Sequence, residues 1–191
     1  GNSSDDVASR SPQNMTNPKP VVVAASTQID APTFFTSFGA LVDVAAPGGG
    51  TTNPPPSYDP FRNILSLKAN TAPMCPSLLT VGTGYCRQAG TSMAAPHTSG
   101  VAALVVAFQP TFTNDDVRMA LRLSADDIGN PGRDLYTGSG RVNAHRAVQQ
   151  QPVVALSVSP TLSWSFEKQG NGNGLIEPGE TAGIVLAIEN L

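Results

Sequence analysis

The chain has 191 residues, of which 40% are hydrophobic and only 13% are charged, and its formal net charge is −3. This length allows one domain, or one and part of a second, and the acidic balance argues against a nucleic-acid partner, which requires a basic surface to neutralise phosphates. No apolar run reaches the length of a membrane span and no signal peptide opens the chain, so we expect no membrane partner. Because the chain begins with Gly1 rather than Met, we expect a processed product or part of a longer protein.

Short apolar runs in the first third of the chain predict strands. Residues 21–25 form a continuous apolar run, which suits a strand that is buried on both faces of a parallel sheet. Residues 34–46 predict two further short strands, and residues 64–67 predict another. Residues 1–20 and 48–63 are polar or rich in Gly and Pro, and they predict loops.

The two cysteines, Cys75 and Cys86, flank a loop-like stretch that contains Pro76 and several glycines. Their spacing is not CxxC and no histidine lies near them, so the pattern does not favour a metal site. We favour a local disulfide that staples a loop, with two free thiols as the alternative. A disulfide implies an oxidising, extracytoplasmic compartment and therefore a secreted protein.

In the second half of the chain the spacing of the apolar residues becomes that of helices. Residues 91–108 are apolar nearly all round, which predicts a buried helix with Pro96 in its first turns. A second helix is predicted to begin at Thr113 or Asn114 and a short third one to cover residues 142–148. The predicted buried stripe of the second helix comprises Val117, Ala120, Leu121 and Ser124. Buried strands followed by helices indicate an α/β layered domain.

The composition changes again at residues 149–152, Gln-Gln-Gln-Pro. Beyond this point residues 153–165 alternate between apolar and polar, a turn-rich segment follows, and residues 181–191 alternate again. Strand, turn and strand with a period of two are typical of the opening of an immunoglobulin-like β-sandwich. We therefore predict a first domain at residues 1–149 and the start of a β-sandwich module, incomplete within this chain, at residues 150–191.

Residues 90–97, Gly-Thr-Ser-Met-Ala-Ala-Pro-His, carry the strongest chemical signal. Ser92 stands at the start of an apolar helix, behind a glycine that lets a substrate backbone come close. Free N–H groups and the macrodipole at a helix N-terminus favour a developing oxyanion. Helix position alone makes this a weak signal, because serine is also an ordinary N-cap residue.

The same eight residues are similar to the nucleophile motif of subtilisin-like serine proteases. Other stretches resemble this family in the same order: VVVAAST and FTSFGALVDVAAPGG before the motif, SGVAALVVAFQPTFTNDDVRMAL after it, and GSGRVNAHRAV as a closing helix. The resemblance covers residues 1–148. It implies the family's three-layer α/β sandwich with a parallel sheet, present here in part. It also implies a serine endopeptidase that hydrolyses protein or peptide substrates through an acyl-enzyme.

The resemblance also implies roles for two residues. In the family a serine attacks the peptide carbonyl, a histidine takes its proton and an aspartate orients the histidine, so Ser92 is the expected nucleophile. The family's oxyanion-hole asparagine lies in a segment that precedes the VVVAA strand and ends in Gly-Asn. Asn2 is therefore the candidate oxyanion donor, with a flexible terminal residue as the alternative. No cofactor is implied for the chemistry.

Neither histidine of the chain fits the catalytic base. His97 follows Ser92 by five residues on one helix, so about 500° of rotation turns it to another side, and the family motif carries a structural histidine there. His145 belongs to the closing helix. We therefore expect the triad histidine and aspartate in the N-terminal half of the same protease domain, outside this chain. The chain alone is expected to be nearly inactive and to fold poorly, because strand 21–25 lacks parallel neighbours.

Two segments carry weaker signals. Residues 48–89 are longer than a minimal family member needs, and they either border the substrate cleft or form a surface insertion. In the tail, oxygen-bearing side chains surround glycines in a turn-like segment, and such hard ligands suit calcium as a structural ion, with a metal-free hairpin turn as the alternative. The candidate calcium ligands are Asn171, Asn173, Glu177 and Glu180.

A second hypothesis is a non-catalytic secreted binding or adhesion module built on a decayed protease scaffold. The intact motif at residues 90–97 argues against decay, since an unused serine has no chemical reason to stay in that frame. The two hypotheses differ in whether a further segment of the protein supplies the aspartate and the histidine.

Overall fold

The computed structural model describes residues 1–52, 59–69 and 75–150, and the backbone of four strands beyond them. The helices and strands are β1 (Val23–Ser26), β2 (Val44–Pro47), β3 (Ile64–Leu67), β4 (Thr80–Val81), β5 (Tyr85–Gln88), α1 (Thr91–Phe108), α2 (Asn114–Ser124), α3 (Ala144–Ala147), β6 (Leu156–Val158), β7 (Ser163–Gln169), β8 (Thr181–Val185) and β9 (Ile188–Asn190). Short 3-10 turns occur at Val7–Ser9, Pro60–Arg62 and Ser77–Leu79. The chain divides into two units, Gly1–Pro152 and Val153–Leu191.

Strands β1 and β2 form the parallel pair at the centre of the first unit, with Ala24 opposite Ala45 and Ala25 opposite Ala46. Because side chains alternate along a strand, the first pair faces one core cluster and the second pair packs on Ala94 of α1. All five alanines are at most 1% exposed. The prediction of a strand buried on both faces is confirmed. The strand has one parallel neighbour, β2, and the expectation that it has none is wrong.

Helix α2 forms as its sequence predicts. The hydroxyl of Thr113 accepts a hydrogen bond from the N–H of Asp116, and the Asp116 carboxylate accepts one from the N–H of Thr113, which together make a capping box. The predicted buried stripe is confirmed. It packs in a cluster that joins α1, α2, α3 and β2 and comprises Val44, Val105, Val117, Ala120, Leu121 and Ala147.

Helix α1 covers its predicted residues, but the prediction that it is buried all round is wrong. Its buried residues are Ala94, Thr98 and Val105. Leu104, Val106 and Phe108, in the C-terminal half of the helix, are 46%, 47% and 66% exposed, because only one flank of α1 packs on the sheet and its neighbouring helices. The described part of the chain holds one helix, α1, that is long and apolar enough to cross a membrane by length and composition, which corrects the expectation that no apolar run has that length. One flank of this helix packs on β1 and β2.

The segment before β2 is not the strand that its apolar residues predict. Residues 34–38 bend instead, with the N–H of Thr36 donating to the carbonyl of Thr33 at 3.2 Å. The Thr36 hydroxyl accepts from the N–H of Ala25 at 3.0 Å, so a side chain replaces the backbone acceptor that a neighbouring strand would offer. Helix α3 is also shorter than predicted and starts after its N-cap, Asn143.

A buried carboxylate joins the sheet to α2. Asp43 is fully buried and accepts a hydrogen bond from Nη2 of Arg118 at 2.6 Å and another from the N–H of Val22 at 3.0 Å. The Arg118 side chain is itself only 13% exposed. This charged pair fixes the start of β1 and the orientation of α2 at once.

Residues 59–69 and 75–88 contain a three-stranded antiparallel sheet in the order β3-β5-β4. Its central strand carries Cys86, which lies opposite Ser66 of β3 and forms a disulfide with Cys75. The predicted disulfide and the predicted strand at residues 64–67 are both confirmed.

The second unit contains two antiparallel pairs, β6 with β9 and β7 with β8. Its assignment to an immunoglobulin-like module, and the domain boundary between residues 149 and 150, stay predictions. The candidate calcium ligands Asn171, Asn173, Glu177 and Glu180 lie outside the described residues.

Candidate active site

Two glycines set the path of the chain into α1. Gly90 has φ of +157° and ψ of 163°, a backbone conformation that is essentially restricted to glycine. Its N–H donates to the carbonyl of Gly48 at 2.9 Å. A Cβ on Gly48 would lie 2.4 Å from the Cβ of Ala25 and 3.1 Å from the carbonyl oxygen of Gly90. The absence of side chains at both positions therefore lets the segment before Ser92 lie directly on the end of the sheet.

Ser92 is the second residue of α1, and it is exposed. The N-cap residue Gly90 offers no side chain to the first turn, where backbone N–H groups have no partner within the helix. The Ser92 hydroxyl is therefore accessible at a helix end that attracts negative charge.

Asn2 lies against this helix end. Its Oδ1 accepts a hydrogen bond from the N–H of Thr91 at 2.9 Å and a second from the Thr91 hydroxyl at 2.8 Å. A backbone N–H can only donate, so these bonds fix which end of the amide is oxygen. The carbonyl oxygen is thereby used, and the Nδ2 group is left as a donor on the Gly90 side of the helix end, where a Cβ on Gly90 would lie 3.2 Å from it.

The segment that carries Asn2 is anchored at several points. The carbonyl of Gly1 accepts from the N–H of Ser37 at 2.8 Å, and the Asp5 carboxylate accepts from the Ser37 hydroxyl, also at 2.8 Å. Arg10 pairs with the same carboxylate. The hydrogen bonds from Arg10 and from Ser37 hold the pKa of Asp5 below its ordinary value. Asn2 is thus held in place by the residues around it.

Neither histidine forms a hydrogen bond with the Ser92 hydroxyl among the described residues. Nδ1 of His97 is 2.7 Å from the carbonyl oxygen of Met93, and since a carbonyl only accepts, Nδ1 carries the proton. His145 lies exposed on α3. Within the described residues, no hydrogen bond joins either histidine to Ser92.

Three cavities border Ser92. The first, of about 250 Å³, lies along β1 and is lined by Gly1, Val21–Val23 and Ala95. The second, the flank cavity, measures about 320 Å³ and lies between β3 and the second turn of α1, at Pro96 and His97. The third, the insertion cavity, measures about 400 Å³ and is lined by Leu67, Ala69, both cysteines, Ala89 and Met93. Residues 48–89 were expected either to border the substrate cleft or to form a surface insertion. The described part of this segment lines two of the cavities that Ser92 borders, which favours the first alternative.

The described residues contain no group of three or more His, Cys, Asp or Glu side chains that could hold a metal ion. The expected calcium site is therefore not tested, since its four residues lie outside this part of the chain.

Sequence reasoning missed Thr91 and Gly48 as parts of this site. Thr91 belongs to the recognised motif, but its partner Asn2 lies 89 positions away, and no local pattern links the two. The signal for Gly48 was the run of three glycines after Pro47, which predicts a turn and does not reveal which backbone approaches it.

Comparison with known proteins agrees with this geometry. The subtilase family profile matches residues 1–140. Thermitase of Thermoactinomyces vulgaris is 33% identical over 129 residues, which are 68% of this chain and 36% of that protein. Subtilisin-like protease 5 of Trichophyton tonsurans is 36% identical over 124 residues, which are 62% of this chain and 25% of that protein.

Solved structures show the same likeness. A protease from Pseudoalteromonas arctica superimposes with a TM-score of 0.62 at 31% identity and covers 78% of this chain and 40% of its own. A lanthipeptide protease superimposes with a TM-score of 0.66 at 25% identity, and the match covers 78% of this chain and 48% of that protein. The chain therefore belongs to the subtilase family of proteases, and the predicted subtilisin-like α/β fold is confirmed. It spans less than half the length of each of these relatives.

Proposed function

We propose that this chain is the nucleophile-bearing part of a serine endopeptidase domain, in which Ser92 forms the acyl-enzyme and Asn2 donates to the oxyanion. The observation that carries the proposal is the pair of hydrogen bonds from Thr91 to Oδ1 of Asn2. These bonds present Nδ2 at the helix end where the Ser92 N–H is also free to donate. Two backbone and side-chain donors at the same helix end as a serine hydroxyl suit the tetrahedral intermediate of acyl transfer.

The general base and its orienting carboxylate come from a further segment of the same domain. A base must approach the serine hydroxyl to about 2.6–3.2 Å, and the cavities around Ser92 leave room for such a segment. Two surfaces support its packing here. The cavity at residues 21–23 leaves room for another element at the start of β1, and the exposed apolar side chains of Leu104 and Phe108, which lie about 40° apart around α1, suit burial by another element.

The protein acts outside the cytoplasm on protein or peptide substrates. The Cys75–Cys86 disulfide supports this location, because disulfides persist in oxidising compartments. A structural calcium ion in the tail remains part of the proposal, with Asn171, Asn173, Glu177 and Glu180 as its ligands. The calcium content of the purified protein tests that ion separately. The parent is expected to contain calcium that a chelator removes, and the Glu177→Gln variant is expected to contain no such calcium.

The alternative is the non-catalytic binding module. It predicts that Ser92 has no activating partner anywhere in the full-length protein. Nothing in the geometry of the helix end favours this alternative over the protease, since the Asn2 to Thr91 contact has no evident use in a surface that only binds.

Hydrolysis of an internally quenched peptide by the full-length protein tests the proposal. Ser92→Ala is expected to lower kcat by several orders of magnitude. Ser99→Ala is the matched control on the same helix, where the hydroxyl only donates to the carbonyl of Ala95 at 3.1 Å, and it is expected to keep full activity. Equal activity of the two variants, or no hydrolysis by the parent, contradicts the proposal.

A further inference from the structure

Three arginines meet around one buried carboxylate where α2 joins the segment before β2. Arg118 and Arg122 are four residues apart on α2, so they share one face of the helix. Nη2 of Arg118 donates to Oδ1 of Asp43 at 2.6 Å, and Nε of Arg122 lies 4.0 Å from the same oxygen. Arg133, in the loop after α2, reaches this segment as well, because its Nη2 donates to the carbonyl of Val42 at 2.8 Å. These three residues form the arginine cluster, in which three guanidinium groups share one carboxylate.

The carboxylate of Asp43 does not satisfy the donors of the arginine cluster. Its oxygens accept from Arg118 and, at 3.0 Å, from the N–H of Val22, and its 4.0 Å separation from Arg122 is longer than a hydrogen bond. Nε of Arg118 and Nε of Arg122 are buried, and neither has a hydrogen-bond partner among the described residues. Because a buried donor without a partner is costly, the cluster lacks an acceptor.

The charge around Arg122 is positive in balance. Burial of the guanidinium and then the positive charge of Arg133 lower the pKa of Arg122 below its ordinary value, the Asp43 carboxylate offsets this only in part, and Arg118 adds to it. A nearby negative charge favours the charged form of such a group. The position remains open to solvent, because the Arg122 side chain is 23% exposed and Arg133 is exposed.

An oxyanion meets both requirements at once. A guanidinium donates through a planar fork whose geometry matches two oxygens of one anion. Nε of Arg122, one side of such a fork, is unpaired. An anion here supplies the missing acceptor and the missing negative charge.

We infer that Arg122 and Arg133 bind a small oxyanion of the phosphate or sulfate class at the arginine cluster. The bound anion stabilises the junction between α2 and the segment before β2, while Arg118 keeps its bond to Asp43. The site is separate from the candidate active site, since none of the three arginines lines a cavity that borders Ser92. The inference therefore does not rest on the proposed function.

The test uses the full-length protein with Ser92→Ala, which prevents self-digestion, and inorganic phosphate as the probe. Tm is measured at pH 7 in increasing phosphate, with sodium chloride adjusted to keep the ionic strength constant. Tm is expected to rise and to saturate only logarithmically, by about 2–4 °C at a phosphate concentration of about five times the Kd. Arg122→Gln is expected to abolish this rise, because it removes the unpaired donor and leaves Arg118 on Asp43.

Arg62→Gln is the matched control, because Arg62 pairs with Asp59 at the surface, outside the arginine cluster. It is expected to keep the parental rise. A parent without a phosphate-dependent rise overturns the inference, and so does an equal rise in the two variants, which would mean an adventitious ion only. A carboxylate of another segment in place of the free anion would leave the parent unresponsive and make Arg122→Gln alone less stable in phosphate-free buffer. That result also overturns the inference.

Discussion

The side-chain oxygen of Asn2 accepts two hydrogen bonds from Thr91, one from its N–H and one from its hydroxyl. Thr91 is the residue directly before the candidate nucleophile, so one contact joins the start of the described chain to the start of α1. The amide cannot rotate without losing both bonds. A donor oriented in advance stabilises a developing oxyanion without the cost of reorganising at the moment of reaction.

Replacing Asn2 by Asp is expected to preserve the acceptor bonds from Thr91 and to remove the donor. In the full-length protein, kcat for peptide hydrolysis is expected to fall about a hundred- to a thousand-fold, the magnitude already measured for an oxyanion-hole asparagine of this same family. KM is expected to change little. Asn14→Asp, an asparagine of the same N-terminal segment that bonds to the Ala8 carbonyl, is the control. An Asn2→Asp variant with the kcat of this control would exclude Asn2 from the oxyanion hole.

Replacing Gly90 by Ala is expected to reduce activity and stability together. The backbone conformation of Gly90 strains any other residue by roughly 1–3 kcal/mol, and the added Cβ would lie 3.2 Å from Nδ2 of Asn2. Gly100→Ala on the same helix is the control. A Cβ there meets nothing within 4 Å, so this change is expected to stabilise the protein by about 0.5–1 kcal/mol. Chemical denaturation of both variants in a Ser92→Ala background, which prevents self-digestion, gives the free energies. Equal effects of the two changes would contradict the strain assigned to Gly90.

Replacing Arg118 by Met is expected to destabilise the fold by up to about 3–5 kcal/mol, because the buried Asp43 then keeps only the N–H of Val22 and the more distant Arg122, whose Nε lies 4.0 Å away. The matched control is Arg62→Met, whose pair with Asp59 is 38% and 40% exposed and is expected to contribute at most about 1 kcal/mol. The free energy of unfolding of the inactive full-length protein measures both. A loss for Arg118→Met no larger than that of the control would show that Asp43 is not held by this pair.

The capping box of α2 is expected to make stability pH-dependent. The hydrogen bonds from the hydroxyl and then from the N–H of Thr113 lower the pKa of Asp116 below its ordinary 3.8. A carboxyl with a depressed folded-state pKa adds stability above its unfolded pKa and loses that contribution as the pH falls through the folded value. Asp116→Asn is therefore expected to lower Tm at pH 7, and the difference from the parent is expected to shrink below about pH 4.

Asp115→Asn is the control for this titration, because it leaves both Thr113 bonds to Asp116 in place. Tm of the inactive full-length protein between pH 7 and pH 3 is the measurement. A difference between Asp116→Asn and the parent that stays constant across this range would contradict the role of the carboxylate.

The elements that the sequence predicts well are those in which local and long-range preferences agree. Helix α2 has a Thr at its N-cap, acidic residues in its first turn and an apolar stripe at helical spacing, so its start and its buried face follow from the residues alone. The parallel strand β1 is a short apolar run, and its burial on both faces follows from the same composition.

Other features depend on contacts that composition does not specify. The apolar residues of α1 predict burial, but they do not reveal that Leu104 and Phe108 lack a covering element among the described residues. Residues 34–38 are apolar enough for a strand, yet the Thr36 hydroxyl bonds to β1 and bends them. Asp43 lies within a predicted strand, and its pairing with Arg118 spans 75 positions. Asn2 became a candidate through family resemblance alone.

Labelling of the full-length protein with a fluorophosphonate probe tests the central claim, that Ser92 is an activated nucleophile. Such a probe reacts with a serine hydroxyl whose proton a base can take, and mass spectrometry of the digested protein locates the adduct. The account predicts one adduct per molecule, on the peptide that contains Ser92, and none in Ser92→Ala. An unlabelled Ser92 in the folded full-length protein, or an adduct on another serine, would contradict it.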